Sequence, residues 1–212
     1  MKIEIKGVIV PNNYAEIYEW LGIENISPSK VNQALDEANG EDVEVEINSS
    51  GGYIFAGNEI YSALKNYKGN VSIRIIWAGS AASVIAMARH SIMEPTAMMM
   101  IHNVQGIGEG DYIDFAHESE VLKTASRALS VAYQLKTGKT EKEIMTLMDR
   151  ETWFTAKEAH ELGFVDEVAD TPAMAAAYQL PVLSPAALEA AQASMKEYEL
   201  AVARYKKLGG ME

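Results

Sequence analysis

The chain contains no cysteine among its 212 residues, only six prolines, and far fewer basic than acidic side chains. The lack of cysteine excludes disulfides, thiolate metal sites and cysteine nucleophiles. Eighteen Lys and Arg against thirty Asp and Glu give a net charge of −12, which disfavours nucleic acid as a partner because phosphate binding depends on clustered basic residues. The longest apolar-leaning stretch, residues 75–88, is interrupted by glycine and serine and is too short to cross a bilayer. We therefore expect a cytoplasmic protein with neither a nucleic-acid nor a membrane partner.

Predicted strands alternate with predicted helices along most of the chain. Apolar alternation or short apolar runs predict strands at 3–10, 42–48, 71–77 and 97–101. Between and after them come segments with helical periodicity, including a long helix over 112–136 that ends at Gly138, and two later helices that open with capping boxes at Thr140 and Thr155. This alternation predicts an α/β fold with a largely parallel sheet.

The composition changes near residue 171, where prolines and an alanine run indicate a linker. We predict a main α/β domain over 1–170, a linker over 171–184 and a C-terminal helical extension over 185–212. Apolar residues recur along this extension at alternating spacings of three and four: Leu188, Ala191, Met195, Tyr198, Val202 and Tyr205. Such a seam is typical of a helix that packs on its own domain or pairs with another subunit, and the sequence leaves both interpretations open.

Three predicted strand ends carry residues that a serine hydrolase requires. They are the Ser-Ser-Gly-Gly turn at 49–52, the Gly-Ser-Ala-Ala-Ser stretch at 79–83, and His102. Functional residues of α/β sheets gather at the carboxyl ends of strands, and these three segments supply hydroxyl groups, backbone N–H donors and an imidazole. From the residues alone, Ser80 and Ser83 are equally plausible nucleophiles, and a simple helix N-cap is an alternative role for Ser83.

Motifs of other enzyme classes are incomplete in this sequence. His160 and Glu161 lack the second histidine of a zinc-binding helix, and no Gly-x-Ser-x-Gly elbow occurs. The glycines over 106–110 imitate a nucleotide loop, but the acidic residues beside them would repel phosphate. We expect no metal, no cofactor and no ATPase activity in this chain.

Four ordered motifs resemble the Clp protease proteolytic subunit family. "INSSGG" at 47–52 resembles that family's INSPGG, "GSAAS" at 79–83 its GQAAS, and "MMMIHN" at 98–103 its VMIHQP. "TAKEAHELGFVDEV" at 155–168 resembles its SAPEAVEYGLVDSI. The resemblance implies the ββα spiral that this family shares with the crotonases, together with a handle helix from residue 112.

The resemblance also implies a role for each candidate residue. The last serine of the family's GQAAS motif is its nucleophile, and on this match it is Ser83, with Ser80 as a turn residue. The implied base is His102, and the implied acid is Glu151, where the family has aspartate; Asp149 is the alternative acid. The remaining residues implied by the match are the oxyanion donors Gly52 and Val84 and the substrate-binding loop residues Gly106, Ile107 and Gly108.

Further expectations concern partners. The resemblance implies a polypeptide substrate and a homo-oligomer of heptameric rings, single or double. The segment before residue 30 differs from the region by which the family contacts an AAA+ unfoldase, and it looks like the phage and prophage branch of the family, so an unfoldase partner stays open. An acyl-CoA enzyme of the crotonase type and a non-catalytic scaffold are the alternative functions, although neither requires a Ser/His pair.

Overall fold

A single mixed sheet with helices on it forms the body of the protein in the computed structural model, which describes residues 1–170 and 183–207, with side chains to residue 200. The strands are β1 (Lys2–Ile9), β2 (Asn25–Ile26), β3 (Val43–Gly52), β4 (Val71–Gly79), β5 (His90–Ile101), β6 (Thr152–Thr155) and β7 (Glu167–Val168). The helices are α1 (Ala15–Trp20), α2 (Pro28–Ala38), α3 (Ile54–Asn66), α4 (Ala81–Ala86), α5 (Tyr112–Thr137), α6 (Glu141–Asp149), α7 (Ala156–Glu161) and α8 (Pro185–Lys207).

The sheet has the order β2-β1-β3-β4-β5-β6, with β7 also paired to β5. Every pairing is parallel except that of β5 with β6. The predicted α/β class with a largely parallel sheet is therefore confirmed. Because β3, β4 and β5 are parallel neighbours, their carboxyl ends lie at one edge, and residues 49–52, Ser80 and His102 come together there.

The apolar residues of β3 and β4 alternate as predicted. Val43, Val45 and Ile47 are almost fully buried, as are Ile73 and Ile75 of the neighbouring strand. The charged residues between them face the other side, where Lys2 pairs with Glu46 at 2.7 Å and Arg74 pairs with Glu94. One face of the sheet thus belongs to the core, and the other carries ion pairs.

Strand β5 is longer than the sequence predicted. It begins at His90 rather than at residue 97 and passes through Pro95. The pairing with β4 accommodates this proline through an irregularity: Ile75 is opposite Met93, but Trp77 is opposite Met98. Proline is tolerated at such bulges because no ladder hydrogen bond is required of it there.

The predicted helix ends agree with the structure where local chemistry determines them. Thr140 and Thr155 form complete capping boxes with Glu143 and Glu158. The long helix α5 ends at Gly138, whose φ of 71° suits a left-handed C-cap. The short helix α4 begins at Ala81, two residues earlier than predicted, so Ser83 lies inside it.

The N-terminal part of α8 packs on its own domain. Leu188 and Ala191 are 1% and 9% exposed, in a second apolar cluster with residues of β1 and α1. Farther along, Tyr198 is 64% exposed, so the first half of the predicted seam is intramolecular. The side chains of Val202 and Tyr205 and most of the predicted linker lie outside the described residues, and the domain division stays a prediction.

Candidate active site

The turn from β4 into α4 presents Ser80 in a backbone conformation that is rare for any residue except glycine. Ser80 has φ 50° and ψ −123°, and Asn39 and Glu151 are the other non-glycine residues with positive φ in the described chain. Such a conformation costs on the order of 1–3 kcal/mol and recurs at functional turns. A strained strand-to-helix turn is also how the nucleophile elbow of α/β-hydrolases exposes its serine.

His102 contacts Ser80 and not Ser83. Its Nε2 atom lies 2.8 Å from Ser80 Oγ, within hydrogen-bonding distance. Ser80 follows the end of β4 and His102 follows the end of β5, so two adjacent parallel strands deliver the pair. The predicted pair of Ser83 and His102 forms no hydrogen bond in the described structure, because α4 begins earlier than expected and Ser83 points inward.

Ser83 is completely buried and its hydroxyl bonds only to groups inside the protein. It donates to the carbonyl oxygen of Ser80 at 2.6 Å and lies 2.8 Å from the hydroxyl of Tyr133 on α5. Because Ser83 gives its proton to Ser80, Tyr133 donates to Ser83. Burial raises the pKa of Tyr133 far above its usual value, despite the opposing effect of the bond to Ser83, so this phenol stays protonated and cannot act as a base.

Glu151 is the carboxylate that pairs with the imidazole of His102. Its Oε2 lies 3.9 Å from His102 Nδ1, which is ion-pair distance but too long for a hydrogen bond. Within the described chain, buried Nδ1 has no hydrogen-bond partner. Burial lowers the pKa of His102, and the charge of Glu151 partly opposes this effect. The imidazole is therefore kept neutral, the form that a general base requires.

Asp149, the alternative acid, is oriented elsewhere. Its Oδ1 accepts a hydrogen bond of 2.8 Å from Asn103 Nδ2. No motif marks Asn103 as a functional residue. Its position directly after His102 is the one signal in the sequence that points to it.

The glycine turn at the end of β3 packs against the Ser80 turn. A Cβ atom on Gly51 would lie 2.7 Å from Ser80 Cβ and 2.9 Å from the backbone nitrogen of Ala81, so only glycine fits. The N–H of Gly51 donates to Ser49 Oγ at 3.0 Å, and the adjacent ladder bond is made by the N–H of Tyr53 to Ile9. Gly52 lies between Gly51 and Tyr53 in the chain, and its N–H makes neither of these two hydrogen bonds.

Val84 does not follow the serine that His102 contacts. It lies within α4 and is 3% exposed, as part of the main core. The residue that follows Ser80 is Ala81, the first residue of the helix, whose N–H has no partner within the helix. The predicted nucleophile and oxyanion donor, Ser83 and Val84, therefore both lie inside α4.

The glycine-rich loop after His102 folds against α5. Val104 donates its backbone N–H to Ser126 Oγ at 2.9 Å, and Gly106 and Gly108 approach Leu122 and Phe115. The loop forms no strand, and the Ile107 side chain is 85% exposed. Its three candidate substrate-binding residues are consequently accessible.

Two other histidines have partners away from this edge of the sheet. His90 Nε2 lies 3.2 Å from Glu167, and His160 Nδ1 lies 3.3 Å from the carbonyl of Val165. Across the described ranges there is no cluster of His, Asp and Glu side chains that could hold a metal ion, nor a helix long and apolar enough to span a membrane.

The family model described as Clp protease matches residues 29–172. The chain belongs to the Clp protease family. It is 35% identical over 134 residues to ATP-dependent Clp protease proteolytic subunit 2 of Tropheryma whipplei (strain Twist). The aligned region covers 60% of this chain and 73% of the relative. It is also 35% identical over 136 residues to the subunit of that name from Nocardia farcinica (strain IFM 10152), covering 60% and 64%.

A solved structure agrees with the fold of this Clp protease homologue. A mutant of ClpP1 from Listeria monocytogenes superposes with a TM-score of 0.65, covering 80% of this chain and 91% of that one at 21% identity. This likeness supports the Clp/crotonase-like architecture predicted from the motifs. The protein is therefore a homologue of proteases.

Proposed function

We propose that this protein is a serine peptidase whose nucleophile is Ser80. The 2.8 Å contact between Ser80 Oγ and His102 Nε2 carries the proposal, and the strained φ of Ser80 supports it. Ser83 is the weaker candidate, because a nucleophile must reach both a base and a substrate, whereas its hydroxyl is buried against Tyr133.

The proposed reaction uses covalent catalysis. Ser80 Oγ attacks the carbonyl carbon of the scissile peptide while His102 Nε2 accepts the hydroxyl proton. The imidazolium then protonates the leaving amine nitrogen as the C–N bond breaks, leaving an acyl-enzyme. Water, deprotonated by the same imidazole, attacks the acyl carbon, and the proton returns to Ser80 as the acid product leaves.

Glu151 orients the imidazole in this proposal. Its carboxylate pairs with His102 Nδ1, whereas that of Asp149 is bound to Asn103, and the charge of Glu151 stabilises the imidazolium. The 3.9 Å separation closes to a hydrogen bond through a small change of the exposed Glu151 side chain, and catalytic hydrogen bonds are often long in unliganded proteins.

We assign the oxyanion donors to the backbone N–H groups of Gly52 and Ala81. Ala81 follows Ser80 directly, and Gly52 follows Gly51, which packs against Ser80 and Ala81. The exposed loop residues Gly106, Ile107 and Gly108 supply main-chain groups against which a polypeptide substrate can lie as an added strand.

The assembly forms part of the same proposal. Helix α5 exposes apolar side chains along its length, at Tyr112, Phe115 and Leu135 among others. Such a surface suits contact with further copies of the chain in rings that enclose the active sites. Heptameric stoichiometry, a cytoplasmic location and prophage origin belong to this proposal, and an AAA+ unfoldase is not required for the chemistry.

Labelling with a fluorophosphonate tests the assignment. The assembled protein is treated with the probe, and the modified residue is located by peptide mass spectrometry. We expect an adduct on Ser80 that is lost in the His102→Ala variant. An adduct on Ser83 would contradict the proposal, and the absence of any adduct in folded, assembled protein would favour a non-catalytic scaffold.

A further inference from the structure

Two turns carry the proposed base and acid, and one side-chain hydrogen bond joins them. His102 and Asn103 follow the end of β5, whereas Asp149 ends α6 and is followed two residues later by Glu151. The bond from Asn103 Nδ2 to Asp149 Oδ1, at 2.8 Å, therefore connects the residue after the base with the residue two before the acid.

Backbone and side-chain hydrogen bonds hold the turn that carries Asp149 and Glu151 rigidly. The N–H of Glu151 donates to the carbonyl of Met148 at 3.0 Å, and Thr152 Oγ1 donates to the carbonyl of Leu147 at 2.6 Å. Glu151 itself has φ 48°, so the chain turns sharply at this residue. A displacement of Asp149 consequently moves the Glu151 backbone with it, because the intervening turn has little freedom.

The Asn103 amide is held at an energetic cost. Its Oδ1 atom is buried and, within the part of the chain that the structure describes, lacks a hydrogen-bond partner. A buried amide oxygen left unpaired is unfavourable, and this cost offsets much of what the bond to Asp149 contributes to the stability of the fold. What the side chain does provide is the bond from its Nδ2 to Asp149, and this bond has a geometric consequence for the site.

We propose that Asn103 is a positioning residue, which through Asp149 holds the Glu151 turn at the distance from which the carboxylate engages His102 Nδ1. This inference rests on the proposed function. The carboxylate of Glu151 is half-exposed and 3.9 Å from the ring. Because this separation is too long for a hydrogen bond to restrain the carboxylate, the position of the Glu151 backbone decides whether its oxygen can reach Nδ1.

The test compares fluorophosphonate labelling rates of full-length variants. Asn103→Ala removes the bond, and we expect labelling of Ser80 to slow by about 10- to 100-fold, the effect of a misplacement of about 1 Å. The chain offers a matched control in Asn70, whose Nδ2 donates to Asp42 Oδ1 at 2.9 Å at the opposite end of the sheet. Asn70→Ala should label at the wild-type rate.

A side-chain exchange separates positioning from a general loss of stability. Asn103→Asp sets two carboxylates against each other and should slow labelling at least as much as Asn103→Ala. The double variant Asn103→Asp with Asp149→Asn restores a donor and an acceptor in reversed order, and we expect it to recover most of the rate. If Asn103 were merely structural, its variants would have a lower melting temperature, and the double variant would label no faster than Asn103→Asp.

The outcomes distinguish the two proposals. If wild-type protein labels at Ser80 but Asn103→Ala labels equally fast, the positioning role is overturned and the serine peptidase assignment stands. Failure of the double variant to exceed Asn103→Asp would also overturn the positioning role. If wild-type protein does not label at Ser80, the proposed function itself is wrong.

Discussion

Ser80 and Ser83 lie on the same turn but have opposite surroundings. Ser80 is partly buried, conformationally strained and in contact with an imidazole, whereas Ser83 is fully buried, lies in a regular helix and contacts a protonated phenol. The two are also linked, because Ser83 donates its proton to the carbonyl of Ser80. The two hydroxyls thus differ in partner and accessibility: Ser80 contacts an imidazole, whereas Ser83 stabilises the turn that presents Ser80.

The largest effect expected from this contrast is on turnover. Ser80→Ala should abolish peptidase activity, with a loss of about 10⁶-fold, as removal of a nucleophile does in other serine peptidases. Hydrolysis of a fluorogenic peptide by the assembled protein measures it. Ser83→Ala should remain active. An active Ser80→Ala variant together with an inactive Ser83→Ala variant would contradict the assignment.

Glu151→Gln should reduce turnover by about 10⁴-fold, since the triad acid orients the imidazole and stabilises its charged form. Steady-state kinetics on the same peptide give the value. Asp149→Asn keeps an acceptor for Asn103 and should lose much less. An equal or greater loss in Asp149→Asn would identify Asp149 as the acid.

Ser83→Ala should lower the free energy of unfolding by about 1–3 kcal/mol, because it leaves the buried hydroxyl of Tyr133 without an acceptor. Adding Tyr133→Phe to Ser83→Ala removes the unpaired hydroxyl of Tyr133. The double variant should therefore be more stable than Ser83→Ala alone. Urea unfolding of the three variants measures the difference. Equal stability of Ser83→Ala and wild type would show that the buried pair contributes nothing.

Backbone strain at Ser80 predicts a smaller difference between two inactive variants. Ser80→Gly should be more stable than Ser80→Ala by about 1 kcal/mol, since glycine adopts φ 50° without a steric penalty. Thermal unfolding measures this difference, with Ser72→Gly against Ser72→Ala, in an extended strand, as the control. At position 72 the alanine variant should be more stable than the glycine variant.

The smallest expected effect concerns pH. His102 must be neutral to accept the proton of Ser80, and burial lowers its pKa, so the acid limb of kcat/KM should have its midpoint below the usual histidine value. Glu151 raises the pKa of His102, and the residual activity of Glu151→Gln should show a midpoint at still lower pH. A midpoint that moves upward in this variant would contradict the assignment of Glu151 as the neighbouring charge.

Local chemistry explains what the sequence could predict. Capping boxes at Thr140 and Thr155 and the terminal glycine of α5 depend on residues close in the chain, and all are confirmed. His102 at the end of an apolar strand was recognisable for the same reason. The short helix α1 was not predicted, because its buried residues are few and contact β1 and α8 rather than forming a long apolar face.

The motif match and the geometry favour different serines, Ser83 and Ser80, and this difference has another cause. Residues 79–83 reproduce four of the five letters of the family's GQAAS, whereas 76–80, Ile-Trp-Ala-Gly-Ser, reproduce only two. Letter identity therefore favoured the register that ends at Ser83. The decisive property, the backbone angle at the strand-to-helix turn, depends on where β4 stops relative to His102 on β5, and a single sequence does not display that relation.

The strained turn at Ser80 also bears on how such a chain can change over generations. In the proposed mechanism, selection for hydrolysis maintains the serine and its unfavourable φ together. Once selection for hydrolysis is relaxed, substitution by glycine at this position increases stability and removes the reactive group in one step. A glycine at the position of Ser80 in a related chain would therefore mark a lineage that kept the fold for assembly and gave up catalysis.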